Sequence, residues 1–64
     1  MLVPAKELLE VYVAVAICAL INGMPLTANS NLQLAKFVIK KTDNNPEKLV
    51  NSREILDEFN NERV

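Results

Sequence analysis

The chain is poor in the residue types that build chemical sites. It has no histidine, a single cysteine (Cys18) and a single glycine (Gly23). One cysteine excludes a disulfide within the chain, and without histidine it cannot supply the four Cys/His ligands of a structural zinc site. One glycine leaves no Gly-rich phosphate loop, and there is no histidine for a Ser/His/Asp set or a Cys/His pair. We therefore predict a protein that is not an enzyme and needs no cofactor.

Charge and size narrow the possibilities further. Seven Lys/Arg against eight Asp/Glu leave a net charge of −1, which gives little attraction to nucleic acid or to an acidic membrane. Residues 1–64 make one small domain, and a core of this size rarely supplies more than about 3–5 kcal/mol without a disulfide, a metal or oligomerisation. Oligomerisation is the means of stabilisation that this composition leaves.

Helix 1 is predicted from a long apolar run at residues 11–21, VYVAVAICALI. Pro4 suits the first helical position, because its missing N–H is not needed there. Gly23 suits a left-handed helix end, and Pro25 prevents continuation. These limits give about 18 residues, roughly 27 Å at 1.5 Å per residue. Because the helix is apolar on every side, it should be covered on every side, and so short a chain has little with which to cover it.

Helix 2 is predicted to start at Ser30, after a connection at residues 24–29. Ser30 stands three residues before Gln33, which is the capping-box spacing. One arc of this helix is apolar and consists of Leu32, Leu34, Ala35, Val38 and Ile39.

Helix 3 is predicted to follow a turn at residues 42–45. Asn45 before Pro46 is typical of a helix start. The sequence leaves two alternatives: one continuous helix from there, or a break near Val50 with Asn51 capping a second segment.

Together these patterns predict an all-α fold, a small three-helix unit with helix 1 at its centre, assembled as a homodimer through helix 1. A bulky face and a stripe of small residues beneath Tyr12 would make the contact, because small residues let two helices approach closely. The residues predicted for self-association are Leu9, Tyr12, Val13, Ala16, Ile17, Ala19 and Leu20.

The charged residues of helices 2 and 3 are the candidate contacts for another protein. The lysines of helix 2 could be solvated, could pair with the acidic helix 3, or could contact phosphates. Phe37 lies beside them and is either a partner contact or an edge of the core. Cys18 is interpreted as a buried structural cysteine, since free cysteine is often buried. The candidate contact residues are Lys36, Phe37, Lys40, Lys41, Glu54, Asp57 and Glu58.

The function predicted from these features is binding to another protein, as an inhibitor, an adaptor or an antitoxin-like regulator. One alternative is a dimeric DNA-binding regulator that uses the basic face of helix 2. A second is a membrane-active protein, although the apolar run is shorter than the roughly 20 residues of a spanning helix. A free cysteine in an apolar run suits a reducing compartment, which predicts a cytoplasmic location. Eight asparagines and two arginines suggest an AT-rich genome, which is compatible with a phage or plasmid origin.

Overall fold

The computed structural model describes residues 1–63, which form three helices and a short two-stranded sheet. The elements, in chain order, are β1 (Leu2–Pro4), α1 (Ala5–Ile21), α2 (Pro25–Lys41), β2 (Leu49–Asn51) and α3 (Ser52–Arg63). The mostly helical class is therefore confirmed, but the prediction of a purely helical fold is wrong.

The sheet joins the start of the chain to the segment that precedes α3. β1 and β2 pair antiparallel, with Val3 opposite Val50 and Pro4 opposite Leu49. Valine favours this geometry, because its branched side chain packs well on a pleated surface. Pro4 is extended, with φ −61° and ψ 141°, and α1 begins one residue later at Ala5. Pro4 is thus not the first helical residue, since its fixed φ suits an extended edge strand as well as a helix.

The end of α1 is the one that the sequence predicts. Gly23 has φ +70°, and its N–H donates to Leu20 O at 3.1 Å while Met24 N–H donates to Ala19 O at 2.8 Å. This pair of bonds is the Schellman motif, which needs a left-handed residue where glycine stands. The chain reverses here within three residues and enters α2.

Helix α2 begins at Pro25, five residues before the predicted start at Ser30. Proline both ends the preceding helix and suits the first position of the next one. The Ala28 N–H already donates to Met24 O at 3.0 Å. The predicted connection at residues 24–29 is therefore wrong, because most of it is the first turn and a half of α2.

Helix α3 begins at Ser52, which agrees with the second of the two alternatives for this region. The Asn51 side-chain oxygen accepts a hydrogen bond from Arg53 N at 3.0 Å, as a helix cap does. A continuous helix from Pro46 is excluded, because residues 49–51 pair with β1.

Helix α2 lies at the centre of the fold, between α1 and α3. The helices α1 and α3 make few contacts with each other. The predicted central position of helix 1 is therefore wrong. The main core consists of Ala5, Leu8, Tyr12, Leu34, Ala35, Phe37, Val38, Val50 and Ile55. A smaller alanine cluster, Ala16, Ala19 and Ala28, joins the far ends of α1 and α2. Helix α1 contributes to both clusters from one narrow side, and its other sides remain open.

Candidate interaction surface

Only one arc of α1 is covered within the chain. Its buried residues are spaced three or four apart, as one side of a helix requires, and are Ala5, Leu8, Tyr12, Ala16 and Ala19. The remaining apolar residues of the run are exposed. We call them the α1 apolar face, and they are Val11, Val13, Ala14, Val15, Ile17, Cys18, Leu20 and Ile21. Its large side chains range from 40% exposed at Val13 to 79% at Ile21, so one chain alone leaves this surface in water.

The apolar surface extends beyond α1 around the whole helical hairpin, α1 with α2. Within residues 1–63, ten of the fourteen exposed large hydrophobic side chains lie between Ala5 and Lys41. Those outside the α1 apolar face are Met24, Leu26, Leu32 and Ile39. No Asp, Glu, Lys or Arg stands between Glu10 and Lys36. The free part of the hairpin is therefore both apolar and uncharged.

Two properties of the whole chain, its exposed area and its radius of gyration, agree with this open arrangement. A compact monomer of 7.2 kDa should expose about 4100 Å², whereas this chain exposes 4584 Å². Its radius of gyration is 11.6 Å, against about 10.7 Å expected for a compact domain of this length. The surplus surface is what an elongated hairpin with one uncovered side produces.

The α1 apolar face is shaped as well as apolar. A shallow groove crosses it, lined by Leu9, Glu10, Val13, Ala14 and Ile17. Ala14 is the smallest of these residues and lies among larger neighbours. Such a depression accepts a protruding side chain from an apposed helix, as ridge-into-groove packing requires.

The structure divides the predicted self-association residues into two groups. Tyr12, Ala16 and Ala19 are buried within the chain, and Ala16 and Ala19 cluster with Ala28 of α2. The small-residue stripe thus forms a close helix crossing, but its partner is α2 of the same chain. Leu9 is half-buried, while Val13, Ile17 and Leu20 are exposed. The exposed group remains available to a second molecule.

Burial of Tyr12 also changes its chemistry. Desolvation raises the pKa of the Tyr12 hydroxyl above its ordinary value of 10.0, because burial disfavours the charged phenolate. Among the side chains that the structure describes, no buried nitrogen or oxygen lacks a hydrogen-bond partner. This side of α1 is part of the core.

Cys18 is exposed, and the prediction that it is buried is wrong. It follows Ala14 by one helical turn, on a side of α1 that α2 does not reach. The tendency of free cysteine to be buried does not apply where no second element covers the helix.

The charged candidates lie around the end of α2 and along α3. Lys41 Nζ is 3.7 Å from Glu58 Oε2 and 5.3 Å from the centre of the Phe37 ring. Pairing of this lysine with helix 3 within the chain is thus confirmed. Lys36 and Lys40 are exposed on α2, and Asp57 is exposed on α3.

Phe37 is a core residue, with 8% of its surface exposed. Its ring meets Phe59 of α3 edge to face, with the centroids 5.6 Å apart and the planes at 67°. The structure therefore supports the second alternative for Phe37. A ring in this position holds α3 against α2 and presents almost no surface to a partner.

One groove brings several charged candidates together. It lies between the end of α2, β2 and α3, and it is lined by Leu2, Lys41, Lys48, Leu49, Val50, Asn51, Glu54, Ile55 and Glu58. We call it the charged groove. Sequence analysis missed Lys48 and the two leucines, because they reach the groove only through the β1–β2 pairing. Within residues 1–63, no group of three or more Cys, Asp or Glu side chains is arranged to hold a metal ion.

Comparison of the chain with protein families, with curated proteins and with solved structures gives no match. Within residues 1–63, α1 is the most apolar helix, but none of the helices is both long and apolar enough to cross a membrane.

Proposed function

We propose that this chain is a non-enzymatic protein that acts by binding another protein, as an inhibitor, an adaptor or an antitoxin-like regulator. The observation that carries the proposal is the α1 apolar face, where side chains such as Ile17 and Leu20 are more than half exposed. A contiguous apolar surface of this kind, on so small a chain, is typical of an interaction site.

The charged groove supplies a second kind of contact on another part of the molecule. Lysine and glutamate side chains stand together there, with two exposed leucines, Leu2 and Leu49, beside them. Apolar side chains within a rim of both charges fit a protein surface, where charges set orientation and apolar groups anchor.

The same surface argues for protein and against DNA as the partner. Lys41, one of the three lysines of the DNA-binding alternative, lies 3.7 Å from Glu58. A carboxylate at that position repels phosphate, and only Lys36 and Lys40 remain on α2. Two lysines in a chain of net charge −1 give weak counterion release compared with the 6–10 contacts of typical DNA-binding proteins.

Photo-crosslinking in cells that naturally produce the chain tests the proposal. A photoreactive phenylalanine analogue replaces Ile17 on the α1 apolar face in one variant and Glu54 in the charged groove in another. The matched control carries the same analogue at Asn61, an exposed polar residue in the last turn of α3. We expect a covalent adduct with a different protein from Ile17 or Glu54 and none from Asn61.

Two results would overturn the proposal. One is the absence of any adduct with a different protein at both test positions. The other is equal capture of the same proteins from Asn61, which would indicate non-specific adhesion. Adducts between two copies of the chain are scored separately, because they report self-association and not binding to a different protein.

A further inference from the structure

We infer that the molecule which covers the α1 apolar face is a second copy of this chain. The inference rests on the proposed use of this face as a protein-binding surface. It names a second copy as the partner there and leaves the charged groove to a different protein. Three observations support it: the absence of charge, the area that a dimer needs and the geometry of the exposed residues.

Charge is the first observation. The stretch at residues 11–35 holds no ionisable carboxylate, lysine or arginine. A partner that is recognised through opposite charge finds nothing to pair with on this surface. A second copy presents the same uncharged stretch. The one ionised side chain beside the groove, Glu10, is exposed, so two copies meet without leaving a charge buried and unpaired as long as this carboxylate stays in water.

A lipid surface fits the same stretch less well. Helices that lie on membranes combine lysine or arginine on the polar side with tryptophan, phenylalanine or leucine on the apolar side. Here α1 has Lys6 near its start but no basic residue in its last turn. Its one aromatic residue, Tyr12, is buried against α2.

Area is the second observation. A standard stable interface removes about 800 Å² from each partner, which is about one sixth of the 4584 Å² that this chain exposes. The hairpin carries ten exposed large apolar side chains between 40% and 83% exposed. The hairpin therefore offers enough exposed apolar side chains for an interface of this size without α3 or the charged groove.

Geometry is the third observation. The shallow groove is lined by Leu9, Glu10, Val13, Ala14 and Ile17. In a two-fold symmetric dimer the same patch contacts itself, so each copy offers both the groove and the side chains that enter it. Buried residues of α1 hold the helix on α2 from the opposite side, so the face is available in the folded chain.

Light-scattering mass on a size-exclusion column, without detergent, tests the inference. We expect the wild-type chain to have twice the mass of 7.2 kDa. Ile17→Glu should give a mass of 7.2 kDa, because a dimer cannot bury an unpaired carboxylate at its centre. Val13→Glu, a second variant at the groove, covers the case in which the first fails to fold, and circular dichroism must show that the monomers stay helical.

Leu49→Glu is the matched control. Leu49 is 56% exposed and Ile17 is 52% exposed, but Leu49 lies on β2, outside the hairpin. Its variant should keep the wild-type mass. A wild-type mass of 7.2 kDa at every concentration would overturn the inference, as would dimers that survive in both folded face variants. Binding of a wild-type monomer to neutral phosphatidylcholine vesicles, lost in Ile17→Glu, would also overturn it and identify lipid as the cover.

The single cysteine offers a second readout on the same samples. Cys18 belongs to the α1 apolar face, so a dimer shields its thiol and a monomer leaves it open. We expect a thiol-specific reagent to label wild type several-fold more slowly than Ile17→Glu. Equal labelling rates would contradict a shared interface on this face. A dimer with no adduct to another protein would leave this inference intact while the proposed function fails.

Discussion

At the scale of single residues, small side chains let the second half of α1 approach α2 closely. Alanines at positions 16 and 19 meet Ala28 of α2, whereas the larger Val15 and Ile17 remain exposed. The sequence predicts a close helix crossing at this stripe, but small residues indicate how near another helix can come and not which helix it is. Ala28 and Ala35 point to α2 as the helix that packs on α1. They lie seven residues apart, on one arc of the helix, but this is visible only when α2 is known to begin at Pro25.

Tyr12 gives a pH-dependent prediction. Its pKa is raised by burial, so the folded chain holds the phenol proton more tightly than the unfolded chain does. The contribution of the protonated Tyr12 to stability is fully present below the unfolded pKa of 10.0. It is lost as pH rises through the pKa of Tyr12 in the folded chain. We expect the phenolate absorbance of the folded protein to appear at higher pH than that of the urea-unfolded protein.

The control for this titration is Tyr12→Phe, which removes the only tyrosine. The part of the alkaline stability loss that belongs to Tyr12 is the part that the Phe variant lacks. A folded-state midpoint at or below that of the unfolded chain would show that the ring is not desolvated as the structure places it.

At the scale of elements, the clear helix signals are the ones that act locally. Gly23 ends α1 and Asn51 caps α3 through bonds to residues within a few positions. The strands carry no such signal, because three residues are too few to show an alternating pattern. Their pairing depends on a contact between Val3 and Val50, which are far apart in sequence. A pattern in neighbouring residues cannot reveal such a contact.

The α1–α2 crossing supplies a prediction at this scale. Ala16 is 1% exposed and Ala28 is 2% exposed, so there is no room for a larger side chain between them. Ala16→Leu should lower the free energy of unfolding by about 1–3 kcal/mol through overpacking, measured by urea titration. The measurement uses the Ile17→Glu background, in which association does not contribute.

Ala14→Leu in the same background is the matched control, because it makes the same substitution at an exposed position of the same helix. A leucine there meets no other element of the chain, and we expect a change of less than about 0.5 kcal/mol. If the two leucine variants were equally stable, α1 and α2 would not cross at Ala16.

At the scale of the whole molecule, composition predicts the unusual feature and the structure locates it. An apolar run with too little chain to cover it follows directly from residues 11–21. Which sides stay open could not be predicted, because that depends on α2 lying between α1 and α3. The charged groove could not be predicted either, because it depends on contacts between distant segments. Lys48 comes near Lys41 and Glu54 only when β1 and β2 have paired.

The pairing of β1 with β2 also has a consequence for the folding rate. The hairpin forms from neighbours in sequence, whereas the sheet joins Val3 to Val50 and must close most of the chain into a loop. Because that closure costs entropy before any contact repays it, the sheet should form after the transition state.

In the Ile17→Glu background, Val50→Ala should speed unfolding and leave the folding rate nearly unchanged, while Ala28→Gly should slow folding. Stopped-flow measurements that show slower folding for Val50→Ala would reverse this order. With the expected order, the surface inferred to pair two copies is already formed when the chain crosses its folding barrier, before β1 and β2 are joined.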